Sequence, residues 1–273
     1  MKQKYRKEES GLNNPVVSII MSVYNEQAHV GEAVESILNQ TFNDFEFIIL
    51  NDGSLDLTQK ILEKYKQKDP RIKVYNQKNI GLTKSLNKAI GFANGRYIAR
   101  FDADEISVEM RLEKQVAFLD AHPEIGMVGS SCRNIKDTDG KEEDWVFPSE
   151  NDKIRSGLIR NNMFNHGSVM IRKEVLDSVG LYNESFYFVQ DYELWGRVAK
   201  NFKVFNLPEI LLIRKVTRNS ISQQRKNMKQ IAILHIKAQL SVIRNLNPSI
   251  FAYLYLIKGF LHFAYWALFS SLK

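Results

Sequence analysis

Two aspartates separated by one residue, Asp102 and Asp104, follow the apolar segment Tyr97–Phe101. On an extended chain the side chains at positions i and i+2 point to the same side, so both carboxylates can reach one ligand. Two hard oxygen donors suit Mg²⁺ or Mn²⁺, which complete their coordination shell with water and substrate phosphates. The pair therefore indicates a cation that neutralises a diphosphate, although a solvated acidic turn has the same composition.

Three further side chains are suited to binding or proton transfer. Asp52 lies in a turn after an apolar segment, where it can accept a hydrogen bond from a nucleobase or a ribose hydroxyl, or simply stabilise the turn. Asp191 begins a predicted helix over Gln190–Lys200 and is either a general base or a helix N-cap. His166 lies in a loop and is either close to the substrate or structural.

A basic cluster, Arg214, Lys215 and Arg218, follows the last predicted strand. Guanidinium groups bind phosphate through paired hydrogen bonds, so the cluster is a candidate for the phosphate side of a site. An ordinary solvated basic face is an equally good interpretation.

Apolar segments and helical periods alternate along the first hundred residues. Strands are predicted at 16–24, 45–50, 72–75 and 97–101. Such alternation with short loops predicts a parallel sheet with helices on both faces, which binds its ligands at the carboxyl ends of the strands. The clusters Tyr24–Glu26, Asn51–Gly53 and Asp102–Asp104 follow three of these strands, so we expect them to gather at one edge of the sheet.

The second part of the chain has a mixed pattern. It predicts a hairpin between Ser131–Lys136 and Trp145–Phe147, a short strand at Ser168–Arg172, and an edge strand at Lys203–Phe205. No linker rich in Pro, Gly or Ser separates it from the first part, which favours one fused unit. We expect a tail over 1–14, a catalytic domain over 15–218 that divides into 15–125 and 126–218, and C-terminal helices over 219–273.

The C-terminal segment differs in charge from the rest of the chain. Residues 211–273 carry ten Lys or Arg and no Asp or Glu, whereas the other 28 basic and 31 acidic residues give 1–210 a net charge of −3. Phe251–Leu272 holds one formal charge and is long enough to span a bilayer, but polar side chains form a stripe along it. An in-plane membrane helix is favoured, with a spanning helix, a helix packed on protein and a contact between two copies of the chain as alternatives.

The composition excludes several classes of protein. The chain has 273 residues, is 44% hydrophobic and 25% charged, and is thus of ordinary globular composition. Its single cysteine, Cys132, excludes an intrachain disulfide and any Cys-rich metal site. A slightly acidic body with a basic tail is not typical of a nucleic-acid binder, and the charged N-terminus is not typical of a secretory signal.

Six segments, in order, resemble the family 2 glycosyltransferases of the GT-A fold. They are VSIIMSVYNE, NDGS, NIGLTKSLNKAIGFANGRYIARFDADE, NHGSVMIRK, QDYELWGR and NSIS, and they extend along nearly all of residues 15–222. The resemblance implies an α/β fold of GT-A type, with a mixed central sheet flanked by helices. The charge and apolar pattern of the C-terminal segment adds the expectation of a helical, membrane-associated extension. The resemblance further implies transfer of a sugar from a nucleotide donor, usually a UDP-sugar, with inversion at the anomeric carbon.

The resemblance also implies roles for individual residues. Asp102 and Asp104 match the metal-binding D-x-D motif, with Asp102 also on the ribose side, and Asp191 matches the catalytic base. His166 falls near the acceptor, and Trp195 is expected on the same side. The residues expected to contact the donor nucleotide are Tyr24, Asn25, Glu26, Asp52 and Lys84, and those expected near its phosphates are Arg214 and Arg218.

Three positions depart from the family pattern. Glu105 stands where a second Asp is frequent, Gln190 where Glu often precedes the base, and Thr217 near an expected His. The main hypothesis is an inverting, metal-dependent transferase at the cytoplasmic membrane face that extends a lipid-linked saccharide. The alternatives are a non-catalytic nucleotide-binding subunit at the membrane and a nucleotidyltransferase, although no Gly-rich, basic loop follows the first strand.

Overall fold

The computed structural model describes residues 14–216, 228–246 and 250–269. Within them one sheet is formed by β1 (Val17–Val23), β2 (Phe45–Asn51), β3 (Ile72–Asn76), β4 (Tyr97–Arg100), β5 (Glu105–Ser107), β6 (Ile125–Lys136), β7 (Glu142–Trp145), β8 (Met170–Arg172) and β9 (Lys203–Val216). The strand order is β3-β2-β1-β4-β8-β6-β9-β5, and β7 pairs with β6.

Helices flank this sheet on both faces. They are α1 (Val30–Leu38), α2 (Thr58–Lys68), α3 (Leu82–Gly91), α4 (Arg111–Ala121), α5 (Asn151–Leu158), α6 (Lys173–Val179), α7 (Gln190–Asn201), α8 (Met228–Leu246) and α9 (Leu256–Phe269). Short 3₁₀ segments cover His166–Ser168 and Ile250–Tyr255.

The sheet is mixed, as the sequence predicted. Strands β3, β2, β1 and β4 are parallel, whereas β8 is antiparallel to both β4 and β6. The predicted hairpin is also present, because β6 and β7 pair antiparallel around a turn at 137–141, but its second strand is Glu142–Trp145 and not the predicted Trp145–Phe147. The parallel half follows from its near-continuous apolar strands, which are buried on both faces.

The edge strand predicted at Lys203–Phe205 is present, and in the described residues these three positions pair only with β6. The strand is longer than predicted: β9 has 14 residues, and its C-terminal part lies inside the sheet, between β6 and β5. Pro208 cannot donate a ladder hydrogen bond, so it argues for a strand end. The chain instead absorbs it in an irregularity, since Ser130 pairs with Leu207 and Ser131 with Ile210. The strand then continues as far as Val216, which brings Arg214 beside β5.

Alternate side chains of the strands form two apolar layers. In β2, Phe47 and Ile49 pack on one face with residues of α1, α2 and α4, whereas Ile48 packs on the other face. That second layer includes residues of α3, α5, α6, α7 and α8. Because the described helices cover both faces, we expect ligands to bind at an edge of the sheet.

Helix α8 belongs to the second apolar layer rather than standing apart from it. Ala238 and Val242 are fully buried there, and a Cβ at Gly196 of α7 would lie 2.7 Å from Val242 Cγ2. None of the helices within residues 14–216, 228–246 and 250–269 is long and apolar enough to cross a membrane. The predicted start of this helix near Ser220 lies outside the described residues.

The close approach of α7 and α8 at Gly196 predicts a stability effect. Gly196→Ala is expected to lower the free energy of unfolding by about 1–3 kcal/mol, because the added methyl overlaps Val242. The matched control is Gly91→Ala, also in a helix, where an added Cβ meets nothing within 4 Å. Urea denaturation of both variants measures the difference, and equal free energies would contradict the packing of α8 on α7.

Candidate active site

Three polar turns meet at the carboxyl ends of β1, β2 and β4. The backbone N–H of Asp52 donates to Val23 O at 2.8 Å, and that of Phe101 donates to Ile20 O at 3.1 Å. The turns after these strands are therefore held side by side, as expected from the parallel topology. They bring together Tyr24–Glu26, Asp52 and Asp102–Asp104.

Asp52 is buried, and its carboxylate accepts hydrogen bonds from the loop between β3 and α3. Its Oδ1 accepts hydrogen bonds from Gln77 Nε2 at 2.8 Å and from the Ile80 N–H at 2.9 Å, and its Oδ2 accepts from the Gly81 N–H at 2.9 Å. A carboxylate offers about four acceptor positions, so one remains for an incoming donor. Gly53 allows the turn to close, because a Cβ there would lie 2.8 Å from Asn79 N.

Tyr24 and Asn25 line the same edge. The Tyr24 side chain is 44% exposed, which leaves its ring accessible to a ligand. The backbone of Asn25 has a left-handed conformation, with φ 56°, and its Oδ1 accepts a hydrogen bond from the Leu55 N–H at 2.8 Å. Asn25 therefore shapes the turn, because its amide oxygen is already used by the backbone.

Four carboxyl groups crowd the ends of β1 and β4, and their pKa values differ. Burial disfavours the charge of Asp102, but the charge of Arg100, whose guanidinium donates to Asp102 Oδ1, holds the pKa of Asp102 below its usual value. Burial and the neighbouring charge of Asp102 raise the pKa of Asp104 to about 6. Burial also raises the pKa of Glu26, an effect that His29 partly offsets.

Glu105 is the fourth of these carboxyl groups. It is 3% exposed, and burial together with the charges of Asp102 and Asp104 raises its pKa to about 8. A Cβ at Gly167 would lie 1.6 Å from Glu105 Oε2, so the 3₁₀ turn at His166–Ser168 packs directly against this carboxyl group. The sequence marked Glu105 only as a departure from a motif and did not predict that contact.

The residues present fit a divalent cation held with the help of a substrate. In residues 14–216, 228–246 and 250–269, no three His, Cys, Asp or Glu side chains are grouped to hold a metal ion. Asp102 and Asp104 supply two oxygens, and the pKa of Asp104 is raised first by burial and then by repulsion from the charge of Asp102. A cation would relieve that repulsion, with phosphate oxygens and water completing its shell.

The structure describes Arg214 and Lys84, which are predicted near the donor, but not Arg218. Arg214 pairs with Glu105 across β9 and β5, and its positive charge lowers the pKa of both Asp102 and Asp104 against the effect of burial. Lys84 is exposed in the first turn of α3, three residues after Gly81. Arg218 and Thr217 lie outside the described residues.

His166 is in contact with Tyr182 and lies close enough to Asp102 for the two groups to interact electrostatically. His166 and Tyr182 are hydrogen-bonded, with 2.8 Å between His166 Nε2 and Tyr182 Oη. Burial and the charge of Arg100 lower the pKa of His166 to about 3, so the ring is neutral at pH 7. The imidazole can therefore orient a hydroxyl group but does not supply a positive charge.

Trp195 does not lie where the sequence analysis expected it. Its side chain is 1% exposed, and its ring packs edge-on against that of His166 with 6.1 Å between centroids. The period of α7 turns this residue into the apolar layer beneath the site. Trp195 thus supports His166 from behind and cannot contact an acceptor in this conformation.

Asp191 is held in the first turn of α7 by a residue that the sequence did not identify. Its Oδ2 accepts a hydrogen bond from Asn162 Nδ2 at 2.7 Å. Burial raises the pKa of Asp191, and the hydrogen bonds from Tyr192 N–H and Asn162 partly offset that effect. A carboxylate with a raised pKa is suited to accept a proton.

Arg100 and Tyr182 connect the two halves of the site electrostatically. The charge of Arg100 acts on Asp102, His166 and Asp191. Burial raises the pKa of Tyr182, and the charges of Asp191 and Asp102 raise it further. The candidate base and the D-x-D carboxylates therefore lie close enough to act on common groups, which is the arrangement that a single cleft requires.

The family assignment rests on comparison with known proteins. The family model described as glycosyl transferase family 2 matches residues 18–180. The chain belongs to this family. An Escherichia coli relative, the O-antigen biosynthesis glycosyltransferase WbnJ, is 34% identical over 209 residues, which cover 75% of this chain and 81% of WbnJ. The chain is accordingly a glycosyltransferase, not a nucleotidyltransferase.

Two solved structures share the fold. The crystal structure of residues 1–349 of S. aureus TarS with UDP-GlcNAc is similar at a TM-score of 0.65 and 20% identity, over 93% of this chain and 73% of that one. The mannosyltransferase PcManGT of Pyrobaculum calidifontis, with GDP-Man and Mn²⁺, gives a TM-score of 0.67 at 18% identity, over 95% and 76%. The α/β fold is thus of the glycosyltransferase type that the sequence predicted.

Proposed function

We propose that this glycosyltransferase moves a sugar from a UDP-sugar to a hydroxyl group of a saccharide acceptor, with inversion at the anomeric carbon. The acceptor is lipid-linked, and its product enters a surface polysaccharide. TarS supports the donor, since its structure contains UDP-GlcNAc, and WbnJ supports the pathway, since it is named for O-antigen biosynthesis. The observation that carries the proposal is the meeting of the polar turns after β1, β2 and β4, where Arg100 donates to Asp102 and lines one cavity with Tyr182 and residues of α7, the helix that carries Asp191.

Asp191 is the proposed general base. Its carboxylate takes the proton of the acceptor hydroxyl as the new bond forms, and its raised pKa increases its proton affinity. A single base on the face opposite the leaving group produces inversion by direct displacement, as in inverting glycosidases. Asn162 fixes the carboxylate through its amide hydrogen, so it is a positioning residue for this step.

Asp102 and Asp104 are the residues that would hold Mg²⁺ or Mn²⁺. When bound, the cation stabilises the negative charge that develops on the departing diphosphate. Arg100 keeps Asp102 ionised and available to the metal and to the ribose. Arg214 adds a positive charge on the same side, where it favours a diphosphate.

Asp52 is the proposed acceptor of a hydrogen bond from the uracil ring. Titration calorimetry with UDP and GDP in Mn²⁺ tests this assignment. UDP is expected to bind more tightly than GDP, and Asp52→Asn is expected to weaken UDP binding by about tenfold through loss of a charge-assisted hydrogen bond. Equal affinities for the two nucleotides, or tighter binding of GDP, would contradict a uridine donor.

Deleting the Asn162 side chain is expected to move the acid limb of the pH–activity profile. The Asn162 hydrogen bond favours the charged form of Asp191 and lowers its pKa. Asn162→Ala therefore raises this pKa further, and activity is lost at a higher pH than in the wild type. Asn201→Ala, at an exposed position at the end of α7, serves as the control. An unchanged acid limb in Asn162→Ala would exclude Asp191 as the titrating base.

The membrane assignment is supported by the surface of the C-terminal segment. Six large apolar side chains from residue 250 to residue 261 are more than half exposed, among them Phe251 at 71% and Leu254 at 59%. The ten basic residues of 211–273 are accompanied by no acidic residue. Apolar insertion combined with attraction to anionic headgroups is the chemistry of an in-plane membrane segment at the cytoplasmic face.

The double variant Phe251→Glu/Leu254→Glu tests this assignment by sedimentation with vesicles. We expect binding to phosphatidylglycerol-containing vesicles to fall at least about tenfold, because two apolar side chains no longer insert. Val146→Glu is the control, since Val146 is 70% exposed and lies in the catalytic half. Equal binding by both variants would refute membrane docking, and concentration-dependent dimers of the wild type would favour a contact between two copies.

A further inference from the structure

The 181–189 loop joins α6 to α7. It contains Tyr182 and directly precedes the turn of α7 that holds Asp191, so it adjoins two residues of the acceptor side. Near its start, Tyr182 Oη lies 2.8 Å from His166 Nε2. At its end, Val189 is left-handed, with φ 54°, and it directly precedes Gln190 and Asp191. A β-branched residue in this conformation is strained, so surrounding contacts must hold it there. The position of the loop therefore sets the position of both groups.

Asn87 of α3 binds this loop from the donor half of the molecule. Its Nδ2 donates to Tyr182 O at 2.9 Å, and its Oδ1 accepts from the Tyr182 N–H at 3.0 Å. The amide thus satisfies both backbone groups of one residue, as a neighbouring strand would. A second bond from the same helix joins Thr83 Oγ1 to Phe186 O at 3.1 Å.

The N-terminal end of α3 is also bound to Asp52. Gly81, which immediately precedes the helix, donates its N–H to Asp52 Oδ2 at 2.9 Å. Gln77 Nε2 donates to both Asp52 Oδ1 and Ser85 Oγ, at 2.8 and 2.9 Å. Helix α3, which has ten residues, therefore connects the candidate uracil contact to the acceptor-side loop.

We propose that Asn87 is a positioning residue that couples nucleotide binding at Asp52 to the order of the 181–189 loop. The inference rests on the UDP donor proposed above. A base that donates to Asp52 restricts the carboxylate, and with it the Ile80 and Gly81 amides and the first turn of α3. Asn87 carries this restriction to Tyr182, so the acceptor side becomes ordered when the donor is present. Coupling of this kind requires only that ligand binding removes freedom from a connected segment.

Amide hydrogen exchange of the full chain, with and without UDP and Mn²⁺, tests the proposal. In the wild type, UDP is expected to slow exchange in the 181–189 loop. In Asn87→Ala, loss of both Tyr182 bonds is expected to speed exchange there by about tenfold. Because coupling between two sites is reciprocal, UDP is then expected to bind Asn87→Ala more weakly than the wild type and to leave the exchange of its loop unaltered. A merely structural role for Asn87 would not remove this response to the nucleotide.

Two further variants keep the test decisive. Asn94→Ala removes an exposed asparagine just beyond α3 and is expected to behave as the wild type. Asn87→Asp keeps the acceptor for Tyr182 N–H but loses the donor, and it should give an intermediate response even if Asn87→Ala fails to fold. Unchanged loop exchange in the Asn87 variants, or an equal response to UDP in all proteins, would overturn the proposal.

Calorimetry separates this inference from the proposed donor on which it rests. If calorimetry detects no UDP binding by the wild type, the donor assignment fails; if UDP binds without affecting the exchange of the loop, only the coupling fails.

Discussion

Asp191→Asn is expected to lower turnover by about 10²–10⁴-fold, the contribution of a positioned general base. The amide is close in size to the carboxylate and can still contact Asn162, but it cannot accept the acceptor proton. Binding of UDP is expected to be unchanged, because Asp52 and the D-x-D turn hold the nucleotide in our account. The measurement is release of nucleoside diphosphate in the presence of acceptor, together with calorimetry of UDP binding.

A matched substitution separates a catalytic effect from a general one. Asp177 is an exposed aspartate of α6, and Asp177→Asn is expected to retain full turnover. If Asp191→Asn turns over as the wild type does, the proposed base is wrong. Loss of both turnover and UDP binding in Asp191→Asn would instead indicate that the residue maintains the structure of the site.

Asp104→Asn is expected to have the second large effect, with opposite consequences for activity and stability. Activity in Mn²⁺ should fall by about 10²-fold or more, because one of two protein oxygens for the cation is replaced by a weaker donor. Without metal, the same variant should be more stable than the wild type at pH 7. Burial and repulsion from Asp102 raise the pKa of Asp104 from 3.8 to about 6, so keeping Asp104 ionised in the folded state costs free energy at that pH.

The stability effect has a defined pH dependence. A raised carboxyl pKa destabilises the folded state fully above about pH 6, and the cost fades as the pH falls from 6 towards 3.8. Urea denaturation of wild type and Asp104→Asn without metal is therefore expected to show a difference at pH 7 that shrinks near pH 4. Asp139→Asn, at an exposed position, is the control. Equal stability at pH 7, with metal-dependent activity retained, would contradict the role of Asp104.

Local sequence patterns were sufficient to predict the parallel half of the sheet, because its strands are continuous apolar segments that alternate with helices along the chain. The apolar segments before Tyr24, Asp52 and Asp102 became parallel strands, and the topology of such strands gathered their carboxyl ends. The long strand β9 was not predicted, because Pro208 reads as a strand end unless the irregularity at Ser130 and Ser131 is known. Pairing between distant strands, rather than local propensity, determined its length.

The candidate site shows the same limit. Asp102, Asp104 and Asp191 were identified by residue type and spacing, whereas Asn162, Tyr182 and Glu105 act through contacts with distant residues. No pattern near Asn162 indicates that its amide reaches Asp191, which is 29 residues further along the chain. The helical period of α7 shows which residues share a face with Trp195, but it does not show which face of the helix packs against the sheet.

The central claim is sugar transfer from a nucleotide donor. Its most direct test is to incubate the purified protein with a panel of nucleotide sugars, with and without Mn²⁺, and to measure free nucleoside diphosphate, since slow hydrolysis of the donor requires no known acceptor. We predict Mn²⁺-dependent release of UDP from one UDP-sugar, abolished in Asp104→Asn. Release of pyrophosphate instead, or nucleotide binding without release from any donor even when membrane lipid extracts are added as acceptors, would contradict the account.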